Sequence, residues 1–407
     1  MTASAHIVTV GAMPSAGADG AIVAAALGAA GVAVVSRVFV EDDEGALEGA
    51  LGSDEALTVV LAGGGGSAGD IVRRVLARVT GTRLVLNERV LATLQERYRR
   101  LDRPLPRRAE RLALLPQGAT VWMTADGEAG WALESAQRVF AVLARDAGVQ
   151  VMIEQHLTPF ARAWASGRGA AVVRTLRTAG LSPADVEERL VDWLGREGEV
   201  AVSTIPADGE VWVRLRARAS TPAEAARSLA KAETAIGTIL GDDCYGRDGD
   251  TLELVVGRML LERRLTLAVA ESCTGGLLGH RLTNVPGSSA YFERGVLVYS
   301  NRSKEELLGV PDSVLRTHGA VSAPCAEAMA RGVATLTSAP CALAVTGIAG
   351  PDGGTPTKPV GTVFVGLAVR GETLARRFHF AGDRAAVKWQ STQTALDMLR
   401  RSLRGQP

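Results

Sequence analysis

Three polar segments of the chain contain residue types that could carry out a nucleophilic reaction. Ser272 follows the apolar run Leu265–Ala270, and Lys304 comes shortly after the run Val296–Tyr299. A third run, Cys341–Thr346, leads into a glycine-rich loop. Each run is predicted to be a β-strand, and parallel strands place their carboxyl ends at one edge of a sheet, where α/β proteins build their sites. We therefore expect the three segments to share one pocket.

The first segment combines hydroxyl groups with glycines in a single turn. Its sequence is AESCTGG, over residues 270–276, and a helix is predicted to begin at Gly275. The main-chain N–H groups of a helix start, together with the helix dipole, can receive an anion or a developing oxyanion. The alternative is structural, since Ser272 or Thr274 could cap the first turn. Cys273 is a rival nucleophile to Ser272, although a buried and inert state is commoner for cysteine.

Lysine is rare in this chain, which makes its positions informative. It occurs only at Lys231, Lys304, Lys358 and Lys388, whereas arginine supplies every other basic position. Unlike arginine, a lysine can lose its proton when it is buried. Lys304 is therefore a candidate general base for a serine, provided that burial lowers its pKa. The alternative is a solvated lysine on a capped helix.

Composition excludes several classes of function. The chain has 407 residues, 47% of them hydrophobic, and a formal net charge of +1 from 45 basic and 44 acidic residues. Such a balance provides no electrostatic attraction toward nucleic acid or a membrane, so neither is expected as a partner. No apolar segment has the length of a membrane span, and no secretory leader is predicted. Four cysteines and five histidines show no metal-ligand spacing, so we expect no metal or other cofactor and a cytoplasmic location.

The alternation of apolar runs and helical segments predicts an α/β protein with three domains. The boundaries are placed at residues 1–165, 170–248 and 252–407. The first and third domains show the strand–helix rhythm of parallel sheets, and the second is a small α+β module with a helix at Pro222–Leu240. In the third domain, helices are predicted at Ala323–Leu336 and Asp383–Leu403.

Four ordered motifs of the third domain carry a family resemblance. They are AESCTGG, PGSSAYFERGVLVYSNRSKEELLGV, VTGIAGPDGG and KPVGTVFVG. This region resembles the C-terminal domain of the CinA (competence/damage-inducible protein A) family, whose active members are nicotinamide-nucleotide amidases. The second domain resembles the KH-like linker module of that family, and the first resembles its molybdopterin-binding-like domain. The resemblance therefore covers the whole architecture.

The resemblance implies hydrolysis of the carboxamide of nicotinamide mononucleotide, giving nicotinate mononucleotide and ammonia. It makes Ser272 the nucleophile, activated by Lys304 and Tyr299. The implied donors to phosphate or oxyanion are Thr274, Gly275, Gly276, Thr346 and Gly347, and the implied phosphate cation is Arg384 at the start of the last helix. It also implies a small nucleotide substrate and a homo-oligomer. A non-catalytic nucleotide-binding or interaction protein linked to competence or DNA damage is the alternative.

The first domain departs from the pattern of the family it resembles. That pattern has acidic segments supporting phosphate and divalent-metal binding for ADP-ribose pyrophosphatase activity. Here residues 11–17 lack both acidic positions, and residues 63–70 keep only Asp70. A site for a divalent ion needs several oxygen ligands, so we expect a degenerate domain without this activity. The spacing Gly64, Gly66, Gly69 also matches a dinucleotide fingerprint, but a glycine run matches it easily.

Overall fold

The computed structural model describes residues 3–405, except for positions 12–15, 54, 63–65, 125–127, 137, 147, 169, 197 and 208. The chain divides into two compact units. One contains Met1–Val173, Glu197–Val200 and Arg216–Ala232, and the other contains Arg174–Arg196, Ala201–Leu215 and Glu233–Pro407. Within the described part, no helix combines the length and the apolar character needed to cross a bilayer.

The amino-terminal region is built on a mixed sheet. Its elements are β1 (Ser4–Val10), α1 (Ala16–Ala29), β2 (Ala33–Val40), α2 (Glu44–Leu51), β3 (Leu57–Ala62), α3 (Gly66–Val79), β4 (Leu84–Leu86), α4 (Glu88–Arg100), β5 (Leu114–Pro116), β6 (Thr120–Trp122), β7 (Gly130–Ser135), β8 (Arg138–Ala144), α5 (Val149–Met152) and α6 (Thr158–Ala165). The sheet order is β2-β1-β3-β8-β7-β6, while β4 and β5 pair separately. Strands β2, β1, β3 and β8 run parallel, as the sequence predicts. Strands β7 and β6 form an antiparallel edge, in which Ser135 of β7 lies opposite Arg138 of β8.

The middle region contains a four-stranded sheet. Its elements are β9 (Ala170–Ala179), α7 (Pro183–Arg189), β10 (Val200–Ala207), β11 (Glu210–Ala219), α8 (Pro222–Leu240) and β12 (Cys244–Arg247), and the sheet order is β10-β11-β9-β12. Helix α8 has the predicted bounds. Helix α7 ends at Arg189, because the chain turns at Leu190 and Leu194 forms a β-bridge with Val202.

The carboxyl-terminal region holds the candidate site. Its elements are α9 (Leu252–Arg263), β13 (Leu267–Glu271), α10 (Leu277–Thr283), β14 (Phe292–Leu297), α11 (Asn301–Leu308), α12 (Asp312–His318), α13 (Ala323–Thr337), β15 (Cys341–Gly347), β16 (Thr362–Val369), β17 (Glu372–His379) and α14 (Arg384–Leu403). The sheet order is β14-β13-β15-β16-β17. Strands β14, β13 and β15 are parallel, whereas β16 and β17 are antiparallel to their neighbours.

Helices cover both faces of this sheet, because alternate residues of a strand point to opposite sides. Leu267 and Val269 of β13 pack in a core with residues of α9, α10 and α14. Ala268 and Ala270 pack in a second core with residues of α11, α12 and α13. With both faces covered, the carboxyl edge of the parallel strands is the place left for a site. The mixed α/β fold class is thus confirmed.

Candidate active site

The three polar segments meet at the carboxyl edge of the sheet, as predicted from the sequence. Ala270 of β13 lies opposite Val296 of β14 on one side and opposite Ala344 of β15 on the other. The strand bounds differ from expectation by one to four residues, and β14 ends at Leu297 instead of Tyr299. The next residue, Val298, donates its N–H to the carbonyl of Glu271, and the chain then turns into α11. Tyr299 therefore lies in the connection beyond the strand.

Ser272 is held at this edge by its main chain. Its N–H donates to the Val345 carbonyl at 2.9 Å, and its own carbonyl accepts from the N–H of Gly275 at 3.2 Å. Gly275 and Gly276 have φ angles of +62° and +92°, a left-handed conformation that favours glycine. The turn thereby places a serine hydroxyl, only 8% exposed as a residue, directly after a buried strand.

Lys304 reaches the hydroxyl of Ser272 from helix α11. Ser300 caps that helix reciprocally with Ser303, which fixes the first turn from which Lys304 projects. The amine Nζ lies 3.1 Å from Ser272 Oγ and donates to the carbonyls of Val298, at 2.7 Å, and Tyr299, at 3.3 Å. The residue is 1% exposed. Sequence reasoning paired these two residues, and the structure brings them together.

The surroundings of Lys304 favour its neutral form. Burial lowers the pKa of the amine below its ordinary value of 10.5, because a charged group loses its hydration there. Among the described residues no carboxylate lies within ion-pair distance of Nζ. A neutral amine has two N–H groups, and these can donate to the two carbonyls. Its lone pair then remains to accept the proton of the Ser272 hydroxyl. The pair is thus arranged for general-base activation of a serine.

The start of helix α10 is occupied by a side chain that sequence reasoning did not single out. The buried carboxylate of Glu271 accepts from the N–H groups of Gly276, Leu278 and Gly279, at 3.0, 3.0 and 2.8 Å. The structure therefore differs from the capping interpretation of this turn, and three N–H groups of the helix start already have an acceptor. Neither Ser272 nor Thr274 caps the helix, and the N–H of Gly276 is already bonded. The sequence did contain a signal for this contact, namely an acidic residue close to a predicted helix start, where the helix dipole attracts a negative charge.

Donors remain next to the Ser272 hydroxyl. In the described part of the chain, the N–H groups of Cys273 and Thr274 donate to no main-chain carbonyl. The Thr274 hydroxyl is buried and also has no partner among those residues. Adjacent main-chain N–H groups beside a nucleophile are the usual means of stabilising a tetrahedral oxyanion. The Cys273 thiol is less suited to attack, because burial raises its pKa to about 12.

Tyr299 and Arg384 pair with each other at the rim of the site. The Arg384 guanidinium donates to the Tyr299 hydroxyl at 3.3 Å and to the Gly350 carbonyl at 2.8 Å. Tyr299 is 63% exposed, and its contact with Lys304 is made through its main-chain carbonyl. Arg384 begins α14 after the N-cap Asp383. The tyrosine hydroxyl thus lies beside the guanidinium, and a role in proton transfer stays a prediction.

Thr346 and Gly347 have packing partners at the end of β15. The Thr346 hydroxyl donates to the Ala320 carbonyl at 2.8 Å. A Cβ atom at Gly347 would lie 2.7 Å from Val363 Cγ2 and 2.8 Å from the Thr362 carbonyl oxygen. These contacts account for a threonine and a glycine at these positions without a ligand. Their predicted function as substrate donors is therefore left as a prediction.

The amino-terminal motifs lie partly outside the described residues. Positions 12–15 of the first segment and 63–65 of the glycine run, including Gly64 of the dinucleotide fingerprint, belong to the part not described. Asp70 is described, and its carboxylate forms ion pairs with Arg73 and with Arg111. Throughout the described ranges, no group of three or more His, Cys, Asp or Glu side chains is placed to hold a metal ion.

The site thus defines a class of protein: an α/β domain whose parallel strands carry a buried serine–lysine pair at their carboxyl edge. Family models match along the chain, namely "CinA C-terminal domain" at residues 249–403, "Damage-inducible protein CinA KH domain" at 173–246 and "Probable molybdopterin binding domain" at 7–163. The chain belongs to the CinA family, which confirms the resemblance inferred from its motifs.

Relatives match along nearly the full chain. A CinA-like protein of Geobacter sulfurreducens is 41% identical over 390 residues, covering 95% of this chain and 94% of the relative. A CinA-like protein of Solibacter usitatus is 37% identical over 383 residues, covering 92% and 91%. The crystal structure of the competence/damage inducible protein CihA from Agrobacterium tumefaciens is 38% identical, covers 38% of this chain and 97% of its own, and has a TM-score of 0.36.

Proposed function

We propose that this protein hydrolyses the carboxamide of nicotinamide mononucleotide to nicotinate mononucleotide and ammonia. The observation that carries the proposal is the distance of 3.1 Å between Lys304 Nζ and Ser272 Oγ in a buried site. Amide hydrolysis needs a nucleophile, a base and donors for an oxyanion, and metal ions are not required for it. The choice of a pyridine nucleotide rests on the family resemblance of motifs such as residues 270–276 and 345–354.

The reaction follows from the placement of these groups. Lys304 takes the proton of the Ser272 hydroxyl as Oγ attacks the carboxamide carbon. The N–H groups of Cys273 and Thr274 stabilise the oxyanion of the tetrahedral intermediate. Lys304 then returns the proton to the departing nitrogen, which leaves as ammonia, and an acyl ester remains on Ser272. Water attacks this ester while Lys304 accepts a proton from the water. The bond between Oγ and the acyl carbon then breaks, Lys304 returns the proton to Oγ, and nicotinate mononucleotide is released, which restores the serine and the neutral amine.

Ammonia release by Ser272→Ala tests this proposal directly. The purified chain should release ammonia and nicotinate mononucleotide in equal amounts, whereas Ser272→Ala should lose turnover by at least about a thousandfold, because the nucleophile is gone. Ser289→Ala is the matched control, since Ser289 is an exposed serine of the same region. A Cys273→Ala variant separates the two nucleophiles, because it removes the thiol and keeps the N–H.

The outcome also separates this activity from the non-catalytic alternative. Absence of ammonia from the wild-type chain would contradict the amidase proposal and favour a nucleotide-binding or interaction protein. A Ser272→Ala variant that keeps its rate within about tenfold, or about 1.4 kcal/mol of barrier, would contradict the assignment of the nucleophile. In that case a parallel loss in Cys273→Ala would identify the thiol.

A further inference from the structure

A second cation lies against the turn that carries Ser272. Lys388 is on helix α14, four residues after Arg384, so the two side chains share one face of the helix. A Cβ atom built at Gly275 would lie 3.5 Å from Lys388 Nζ. The amine of Lys388 therefore borders the turn formed by residues 272–276.

Nothing in the described structure neutralises this amine. Lys388 is half-buried, and it forms no ion pair or hydrogen bond with the residues that the structure describes. Ion pairs satisfy other cations of α14, as with Arg400 and Arg401, which both bind Asp397. An unpaired cation held at the border of a candidate active site is suited to bind an anionic group of the substrate.

An anionic substrate needs a cation here, because the first N–H groups of helix α10 already have an acceptor. Because Glu271 occupies three N–H groups there, a phosphate cannot use them and would meet a carboxylate instead. Arg384 has five N–H donors, of which the contacts to Gly350 and Tyr299 use two. Arg384 and Lys388 together would match the two charges of a phosphomonoester.

We propose that Lys388 is a substrate-binding residue which, with Arg384, holds the phosphate of an amide that reacts at Ser272. The inference rests on the proposed function, and it assigns a second cation to the phosphate of that substrate. It also explains why residue 275 is a glycine. A side chain there would contact the Lys388 amine, in addition to being strained at a φ of +62°.

Kinetics of Lys388→Met with and without the substrate phosphate test the inference. We expect the KM for nicotinamide mononucleotide to rise about 10- to 100-fold, the value of a hydrogen bond to a charged group, while kcat changes less than about threefold. Nicotinamide riboside, which lacks the phosphate, should react equally well with both proteins. Lys388→Arg should restore most of the affinity, since it keeps the charge.

Arg331→Met is the matched control for the loss of one positive charge. Arg331 is exposed on α13, which packs on the face of the sheet opposite α14. A KM in Lys388→Met equal to that of Arg331→Met would overturn the inference. So would an equal loss with the riboside, which would place Lys388 in the reaction itself, or a Lys388→Arg variant as weak as Lys388→Met.

A binding measurement keeps the inference separate from the proposed activity. Calorimetric titration of nicotinamide mononucleotide into Ser272→Ala and into Ser272→Ala/Lys388→Met measures affinity without turnover. A Kd that is about 10- to 100-fold weaker in the double variant supports the phosphate site even if the wild-type chain releases no ammonia. An unchanged Kd overturns it even if the amidase activity is present.

Discussion

Lys304 is a buried lysine whose amine forms hydrogen bonds with two carbonyls and a hydroxyl, and none with a carboxylate of the described residues. A carboxylate partner would favour the ammonium and raise the pKa, whereas burial alone lowers it. At the scale of a single residue, the absence of an acidic partner among the described side chains is what makes this lysine suitable as a base. Burial without an acidic partner also lowers the free energy of unfolding when the pH falls, because the amine is then charged and has lost its hydration.

The pH dependence of the reaction follows from the direction of this shift. Only the neutral amine can accept the serine proton, so kcat/KM should rise with pH and level off above the lowered pKa of Lys304, which lies below 10.5. The unfolded chain binds this proton more tightly, so between the lowered pKa and 10.5 the free energy of unfolding should also rise with pH. Rate profiles and denaturation at several pH values measure both effects.

Lys304→Arg tests whether the residue acts as a base or only as a charge. Arginine cannot deprotonate, so turnover should fall by about a hundredfold or more, the lower range for a general base, while KM changes little. Lys231→Arg, on the exposed surface of α8, is the matched control and should retain full turnover. Near-normal turnover in Lys304→Arg would reduce the residue to a positioning charge.

At the scale of the element, Glu271 joins strand β13 to helix α10. Its main chain pairs with β14 and β15, and its carboxylate satisfies three N–H groups that the first turn of the helix leaves without acceptors. Ser272, the proposed nucleophile, is the next residue, so the carboxylate that stabilises the helix also holds the turn in which Ser272 lies. Glu271 is a positioning residue in this sense.

Glu271→Gln should weaken both the helix start and the geometry of the nucleophile. An amide keeps one acceptor oxygen where the carboxylate has two, so we expect a loss of about 1–3 kcal/mol in the free energy of unfolding. We also expect a fall in kcat that exceeds any change in KM. Urea denaturation and steady-state kinetics measure these effects, with the exposed Glu305→Gln as a control. Unchanged stability together with unchanged kcat would contradict this role.

At the scale of the whole molecule, the two compact units differ in the reactive side chains that they contain. The carboxyl-terminal sheet holds the serine–lysine pair. In the described part of the amino-terminal region, Asp70 is neutralised by Arg73 and Arg111, and Asp43 caps helix α2 by accepting from the Ala46 N–H at 2.8 Å. Carboxylates engaged in this way are poor ligands for a divalent cation, which needs several free oxygen atoms.

We therefore expect no pyrophosphatase activity from the amino-terminal region. Incubation of the full chain with ADP-ribose and Mg²⁺, Mn²⁺ or Co²⁺ should form no AMP above a sample without enzyme, because too few carboxylates are available to hold the metal. Chromatographic measurement of AMP checks this. Metal-dependent AMP formation would contradict it, and Asp42→Asn, Asp43→Asn and Asp70→Asn would then locate the ligands.

Local patterns in the sequence determined much of this protein. The helix over Pro222–Leu240 has the predicted bounds, and the helix predicted over Ala323–Leu336 ends one residue later at Thr337, because burial and helix propensity act over neighbouring residues. The sequence also placed Ser272 and Lys304 at one sheet edge, since strand direction alone brings the carboxyl ends of parallel strands together.

The tertiary structure decided the contacts that depend on side-chain direction across distant parts of the chain. The pairing of Tyr299 with Arg384 and the approach of Lys388 to Gly275 both fall in this group. No spacing in the sequence encodes them, because they join residues on separate elements whose packing sets the distance. Local chemistry could nominate the nucleophile and its base, but only packing shows which cations surround them.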